Sequence, residues 1–145
     1  SALPGLAEWR RVRDWRVGQI EPMPNVSVFR GNRLSAEDVL AMGRAAQGVH
    51  VADALAAYLV DLADRSRTSP LLSLGISPRA SLGLLRAARV WAAADGRGFV
   101  TPDDVKDLAV PVLSHRVVVG TDGRLGGIAA AETILELLRT TPVPS

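Results

Sequence analysis

The stretch Gly75-Ile76-Ser77-Pro78-Arg79-Ala80-Ser81 does most to limit what this chain can fold into. Ser77 followed by Pro78 reads as a helix start. A serine hydroxyl accepts from a first-turn backbone N–H. A proline at the first helical position gives up an N–H that would have found no partner, and its fixed φ already suits a helix. The alanine- and leucine-rich run that follows meets no proline before Pro102, and Gly96 suits a left-handed stop. The spacing therefore predicts one long helix from Pro78 to about Asp95, the longest in the chain. Such a helix needs other elements to cover its apolar side.

Arg79 breaks the local rule. It places a cation in the first turn, where the macrodipole is positive and a carboxylate would be favoured, at a cost of about 0.3–1 kcal/mol. Helix N-termini are also anion sites, because their N–H groups point outward unsatisfied. A guanidinium beside them adds a planar fork that suits phosphate. Departures from local rules mark candidate functional sites. Arg79, supported by Ser77 and Pro78, is accordingly the candidate phosphate contact; the alternative is a solvated arginine.

The other stretches decide what surrounds this helix. Ser35-Ala36-Glu37-Asp38 has the pattern of a capping box, with Leu34 and Val39 as a staple across it. A helix is expected from there to about Gln47. A second covers about Ala52 to Ser66, with Leu55, Tyr58, Leu59 and Leu62 at the spacing of a buried stripe. On the central helix Leu82, Leu85, Ala88 and Ala92 form one stripe, with Leu84 and Trp91 beside it. Arg79 and Arg86 project from nearly the same side. Thr101-Pro102-Asp103-Asp104 repeats the cap-then-proline start, now with acids in the first turn. Its helix uses Val105, Leu108 and Ala109, and Pro111 kinks or ends it. Val117-Val118-Val119 is β-prone, and Thr121-Asp122-Gly123 is a turn. A last helix spans about Ile128 to Thr140, burying Ile134, Leu135 and Leu138. The expected fold is an all-α, compact bundle of about five helices, with room for one short β-hairpin or edge strand. Its expected core includes Leu55, Leu59, Leu62, Leu82, Leu85, Trp91, Val105, Leu108 and Leu135.

Residues 1–33 read differently, as an irregular linker or N-terminal arm. Pro22 and Pro24 forbid a continuous helix, and Val26-Ser27-Val28-Phe29 is a short edge-strand candidate. Trp9-Arg10-Arg11-Val12-Arg13-Asp14-Trp15-Arg16 is basic and aromatic. It suits nucleic-acid contact through phosphates and stacking, or an amphipathic turn with solvated arginines.

Composition removes several function classes. At 48% apolar residues, the 145-residue chain is too hydrophobic for disorder and long enough for one domain with a core. No apolar run approaches the ~18 residues of a membrane span. Nothing resembles a signal peptide. The chain starts at Ser1 without a methionine, as a fragment would. Without cysteine there are no disulfides or thiolate metal sites. His50 and His115 belong to no short ligand motif, so no metal site is expected. A net charge of +2 does not demand an anionic polymer as partner. The only lysine, Lys106, lacks the glycine loop of a G-x-x-x-x-G-K-[ST] motif, and no apolar strand ends in Asp-Glu. Tyr58-Leu59-Val60-Asp61 imitates such a strand but lies in an alanine-rich helical setting. Phosphate loop and magnesium ligands are thus missing, and the chain alone is not expected to hydrolyse ATP.

From Gly75 to Val119 the chain resembles the C-terminal helical lid of MoxR-type AAA+ ATPases. The residues that carry the resemblance are Gly75, Ser77-Pro78-Arg79, Gly96-Arg97, Val100-Thr101-Pro102-Asp103-Asp104-Val105 and Leu113-Ser114-His115-Arg116, with Pro142-Val143-Pro144 as a family-like ending. It covers roughly residues 34–145 and leaves residues 1–33 unmatched. The resemblance implies an AAA+ lid domain over 34–145 in which Arg79 is the sensor 2 residue, contacting nucleotide phosphates. It implies ATP and Mg in the ATPase core of the parent protein, with none bound tightly by this fragment. It also implies rings, expected to be hexameric, chaperone-like remodelling, von Willebrand factor A domain partners and a bacterial cytoplasmic location. Two other classes compete: a helical nucleic-acid-binding module using the Trp9–Arg16 arm, and a plain protein-interaction domain. Salt-dependent DNA or RNA binding would mark the first of these. The central helix offers Ala80, Ser81, Leu82 and Gly83 after Arg79, not the polar residues with which a recognition helix reads bases.

Overall fold

The computed structural model describes residues 36–144. Ser35 and the Asp38 side chain, on which the capping box rests, lie outside the described residues, as do the Val26–Phe29 strand, the Trp9–Arg16 segment and the arm assigned to 1–33. Among those described, the elements are α1 (Ala36–Gln47), α2 (Asp53–Thr68), β1 (Leu72–Leu74), α3 (Pro78–Ala94), α4 (Pro102–Leu113), β2 (Val118–Val119), α5 (Thr121–Leu125) and α6 (Ala130–Thr140). The all-α expectation holds, with six helices in place of about five. The additional one is α5, formed where Thr121-Asp122-Gly123 reads as a turn.

Contacts group the described residues into two units, 51–88 with 100–144 and 36–50 with 89–99; the boundary falls inside α3. In the larger unit α2 packs against β1 and α6, and α4 packs against α6. The apolar stripe of α2 is buried as its spacing predicts, through Leu55, Tyr58, Leu59 and Leu62. Val105, Leu108, Ala109 and Leu113 of α4 and Ile134, Leu137 and Leu138 of α6 are buried as well. Each fully buried leucine or isoleucine contributes about 1.5–3 kcal/mol over an exposed one. The Tyr58 hydroxyl is buried without a hydrogen-bond partner among the described residues. Desolvation pushes its pKa above the usual phenol value.

Helix ends in this unit are tied by side chains. Arg65 Nη1 donates to the Thr140 carbonyl at 3.3 Å, a cation at the negative end of α6. The buried Thr141 hydroxyl donates to the Leu137 carbonyl at 2.6 Å. Pro111 does not end α4, which continues to Leu113. β1 and β2 pair antiparallel, Leu72 facing Val119 and Leu74 facing Val118, with an irregular register between them. The Gly120 N–H extends the pairing to the Leu71 carbonyl at 2.8 Å. The β-prone valines find their strand, but the partner is the Leu71–Ile76 connection some 45 residues earlier.

The face of α3 corrects the sequence reading. The residues it buries are Ala80, Leu84, Ala88, Ala92, Ala93 and Ala94, the first four at a four-residue spacing. Leu82 is 53% exposed, and Leu85 and Trp91 are half-buried. Two residues from both Ala80 and Leu84, Leu82 lies about 200° round the helix from them. The buried face is made mostly of alanine. On α6, Leu135 is 56% exposed for a related reason: the buried set Thr133, Ile134, Leu137 and Leu138 recurs every three or four residues and passes it by.

In the smaller unit the buried residues are Met42, Ala45, Ala46 and Val49 with Ala92, Ala93 and Ala94. α3 ends in a Schellman turn. The Arg97 N–H reaches the Ala92 carbonyl at 2.9 Å and the Gly96 N–H reaches Ala93 at 3.0 Å. Gly96 has φ 78°, the left-handed geometry its sequence position predicts. The His50 N–H bonds the Gly98 carbonyl at 2.8 Å, and His50 and Phe99 form an isolated parallel bridge.

Candidate functional site

The start of α3 is held from behind by the end of α2. Ser66 is fully buried. Its hydroxyl donates to the Ala63 carbonyl at 2.6 Å and accepts from the Ile76 N–H at 2.7 Å. Gly75 lies directly on the α2 backbone: a Cβ there would stand 2.8 Å from Arg67 N, Ser66 C and Ser66 Oγ. Only glycine permits that approach. Ile76 is 1% exposed and seals the corner. Three local facts thus fix the two residues that lead into Ser77.

Ser77 then caps the helix as its position predicts, its hydroxyl accepting from the Ala80 N–H at 3.2 Å. Its carbonyl accepts the Ser81 N–H at 3.0 Å and the Ser81 hydroxyl at 3.3 Å. Pro78 is the first helical residue, and the first turn contains no acid. With Pro78 lacking an N–H and the Ala80 N–H bound to Ser77, the Arg79 N–H is the first-turn donor left without a partner among the described residues.

The Arg79 side chain is exposed and makes no ion pair or hydrogen bond among the described residues. Its neighbours in sequence differ. Arg67 pairs with Asp64 at 2.7 Å and Arg65 with Asp61 at 3.6 Å. Arg86 is also exposed and unpaired among the described residues, so freedom alone does not single out Arg79. Its place does: it is the arginine of the first turn, beside the free N–H. An anionic oxygen at this corner would meet a guanidinium, a backbone donor and the positive end of the helix dipole together. No three His, Cys, Asp or Glu side chains come together as a metal would need among the described residues. No helix among them is long and apolar enough to cross a membrane.

Sequence reasoning finds Ser77, Pro78 and Arg79 and misses Ser66. The available signal was a serine continuing the stripe of Leu55, Leu59 and Leu62 by four residues; a hydroxyl on a buried face requires a partner.

The described residues form a mostly helical fold that presents a cationic helix start. Residues 64–136, half of the chain, match the AAA lid domain family. The chain belongs to that family. It is 34% identical to Chaperone MoxR1 of Mycobacterium tuberculosis, over 77% of this chain and 32% of that protein. It is 32% identical to the uncharacterised protein YeaC of Bacillus subtilis, over 77% of this chain and 35% of that protein. Protein MoxR of Paracoccus denitrificans is 30% identical over 68% of this chain and 33% of its own length. A solved structure of a presumed ATPase from Cytophaga hutchinsonii superposes with a TM-score of 0.71 at 25% identity, covering 75% of this chain and 36% of the other. The chain spans about a third of the length of the curated relatives it matches. The likeness to MoxR proteins expected from the Ser77-Pro78-Arg79 corner is therefore found across most of the chain.

Proposed function

We propose that this chain is the lid of a MoxR-type AAA+ ATPase and that Arg79 is its sensor 2 residue, reading the phosphates of a bound nucleotide. The observation that carries this is the exposed, unpaired Arg79 guanidinium beside a free N–H on an anchored, acid-free helix start. ATP and Mg are held by the ATPase core of the parent protein. Arg79 reaches the β- or γ-phosphate from the lid of the same subunit or of a ring neighbour. It neutralises charge that grows as the phosphoryl group transfers, and it couples lid position to nucleotide state. The described residues suit the phosphate and offer magnesium no ligand set. In the cell the parent forms rings, expected to be hexameric, in the bacterial cytoplasm. It remodels client proteins in the manner of a chaperone, which the name of the relative Chaperone MoxR1 supports, and it works with von Willebrand factor A domain partners.

The test is Arg79→Ala in the parent ATPase. The expected result is a loss of tenfold or more in ATPase rate or nucleotide affinity, about 1.4 kcal/mol, with the lid still folded. Arg79→Lys rescues poorly, since an ammonium lacks the planar fork. Arg86→Ala serves as the control and leaves the kinetics near wild type. Unchanged kinetics in a folded Arg79→Ala protein, or equal damage from Arg86→Ala, would remove the assignment.

A further inference from the structure

We infer that Ser66 is a positioning residue for Arg79, an inference that rests on the sensor reading above. The Ser66 hydroxyl is the polar bridge between the last turns of α2 and the residues leading into α3. It donates backward to the Ala63 carbonyl at 2.6 Å and receives the Ile76 N–H at 2.7 Å. Ser66 and Ile76 are both almost wholly buried, so no water replaces the hydroxyl if it is removed. Arg79 follows Ile76 by three residues across a capped turn, and Gly75 rests on the Ser66–Arg67 backbone. The start of α3 is therefore registered to α2 by one hydrogen bond and one close backbone contact.

A guanidinium that must meet phosphate oxygens tolerates little displacement. Such constellations need their parts held within about 0.5 Å, and a shift of about 1 Å costs up to ~100-fold in rate. Removing the Ser66 hydroxyl orphans the Ile76 N–H in a dry corner, and the corner shifts to relieve it. The guanidinium moves with the corner while every atom of Arg79 remains. Ser66 thus acts through Arg79 and touches no nucleotide.

A double-mutant cycle in the parent ATPase tests this, with Ser66→Ala, Arg79→Ala and the double variant assayed for kcat/KM toward ATP. Ser66→Ala is expected to lower kcat/KM by ~3- to 10-fold and to speed hydrogen exchange at the Ile76 amide. In the Arg79→Ala background it should cost nothing further, because the residue it positions is gone. A merely structural role would give the same loss in both backgrounds, and that result overturns the inference. So does unchanged activity in Ser66→Ala with a fast-exchanging Ile76 amide. If Ser66→Ala does not fold, Ser66→Cys fills the space with a weak donor and acceptor and is judged by the same outcomes. A silent Arg79→Ala overturns the sensor reading, and this inference with it. A damaging Arg79→Ala with additive Ser66→Ala overturns the positioning role alone.

Discussion

Helices α3 and α4 begin with the same local chemistry and finish it differently. Each has a hydroxyl cap and a proline at the first helical position, Ser77-Pro78 in one and Thr101-Pro102 in the other. At α4 the start closes on itself. The Thr101 N–H donates to Asp104 Oδ2 at 2.7 Å, and the Asp104 N–H donates to Thr101 Oγ1 at 3.3 Å. Asp103 and Asp104 both lie in the first turn, where the dipole favours them. At α3 the third helical position is the buried Ala80, the second is Arg79, and the first turn holds no acid. Among the described residues both starts leave the second-position N–H unpaired; α4 ties off the Thr101 N–H and places acids beside its free donor, whereas α3 places a cation there. The difference separates a helix start built to be stable from one left open to an anion.

The largest effect that sharpens this contrast is at Asp104. Asp104→Ala removes a buried carboxylate that accepts the Thr101 N–H, and it should cost about 1.5–3 kcal/mol of unfolding free energy. Urea denaturation of the 145-residue chain measures it. The cap at α3 is a single neutral hydrogen bond, so Ser77→Ala should cost only about 1 kcal/mol. Equal losses would mean that the α4 box adds nothing beyond its cap.

Gly75→Ala comes next. The open start of α3 is braced from behind, and a Cβ at Gly75 would meet α2 backbone that cannot rotate away. Overpacking of this kind costs about 1–3 kcal/mol. Thermal unfolding should show the loss, and a neutral Gly75→Ala would remove the brace from the explanation.

Both helix starts were legible in the sequence, because capping is decided within four residues. Ser77, Pro78, Thr101 and Pro102 therefore take their predicted places. Gly96 was legible for the same reason. What depends on distant partners was not. Most residues that α3 buries are alanines, and weighting leucine above alanine turned the stripe toward Leu82. β1 carries no strand pattern of its own and exists because β2 pairs with it. Ser66 drew no reading of its own in the sequence, because the Ile76 N–H that it binds lies ten residues away. Arg79 was legible as an exception to the dipole rule, while the brace that holds it was not.

The smallest effect isolates the charge itself. Arg79 and Asp103 occupy the same second helical position after Pro78 and Pro102, and both side chains are exposed. Exchanging the charges should therefore change stability with opposite signs and little else. Arg79→Asp relieves an unfavourable dipole contact and should raise unfolding free energy by about 0.3–1 kcal/mol, whereas Asp103→Arg should lower it by a similar amount. Both shifts should shrink at high salt, since exposed charges are screened beyond a Debye length of about 10 Å at 0.1 M. Paired urea titrations at low and high ionic strength give the four values. The functional consequence runs the other way: in the parent ATPase, Arg79→Asp puts a carboxylate where phosphate is expected and should be at least as damaging as Arg79→Ala. A stabilised lid on a disabled enzyme would show that Arg79 is kept against the interest of its own helix. If Arg79→Asp destabilises the lid instead, then Arg79 serves the fold, and the contrast between the two helix starts loses its functional meaning.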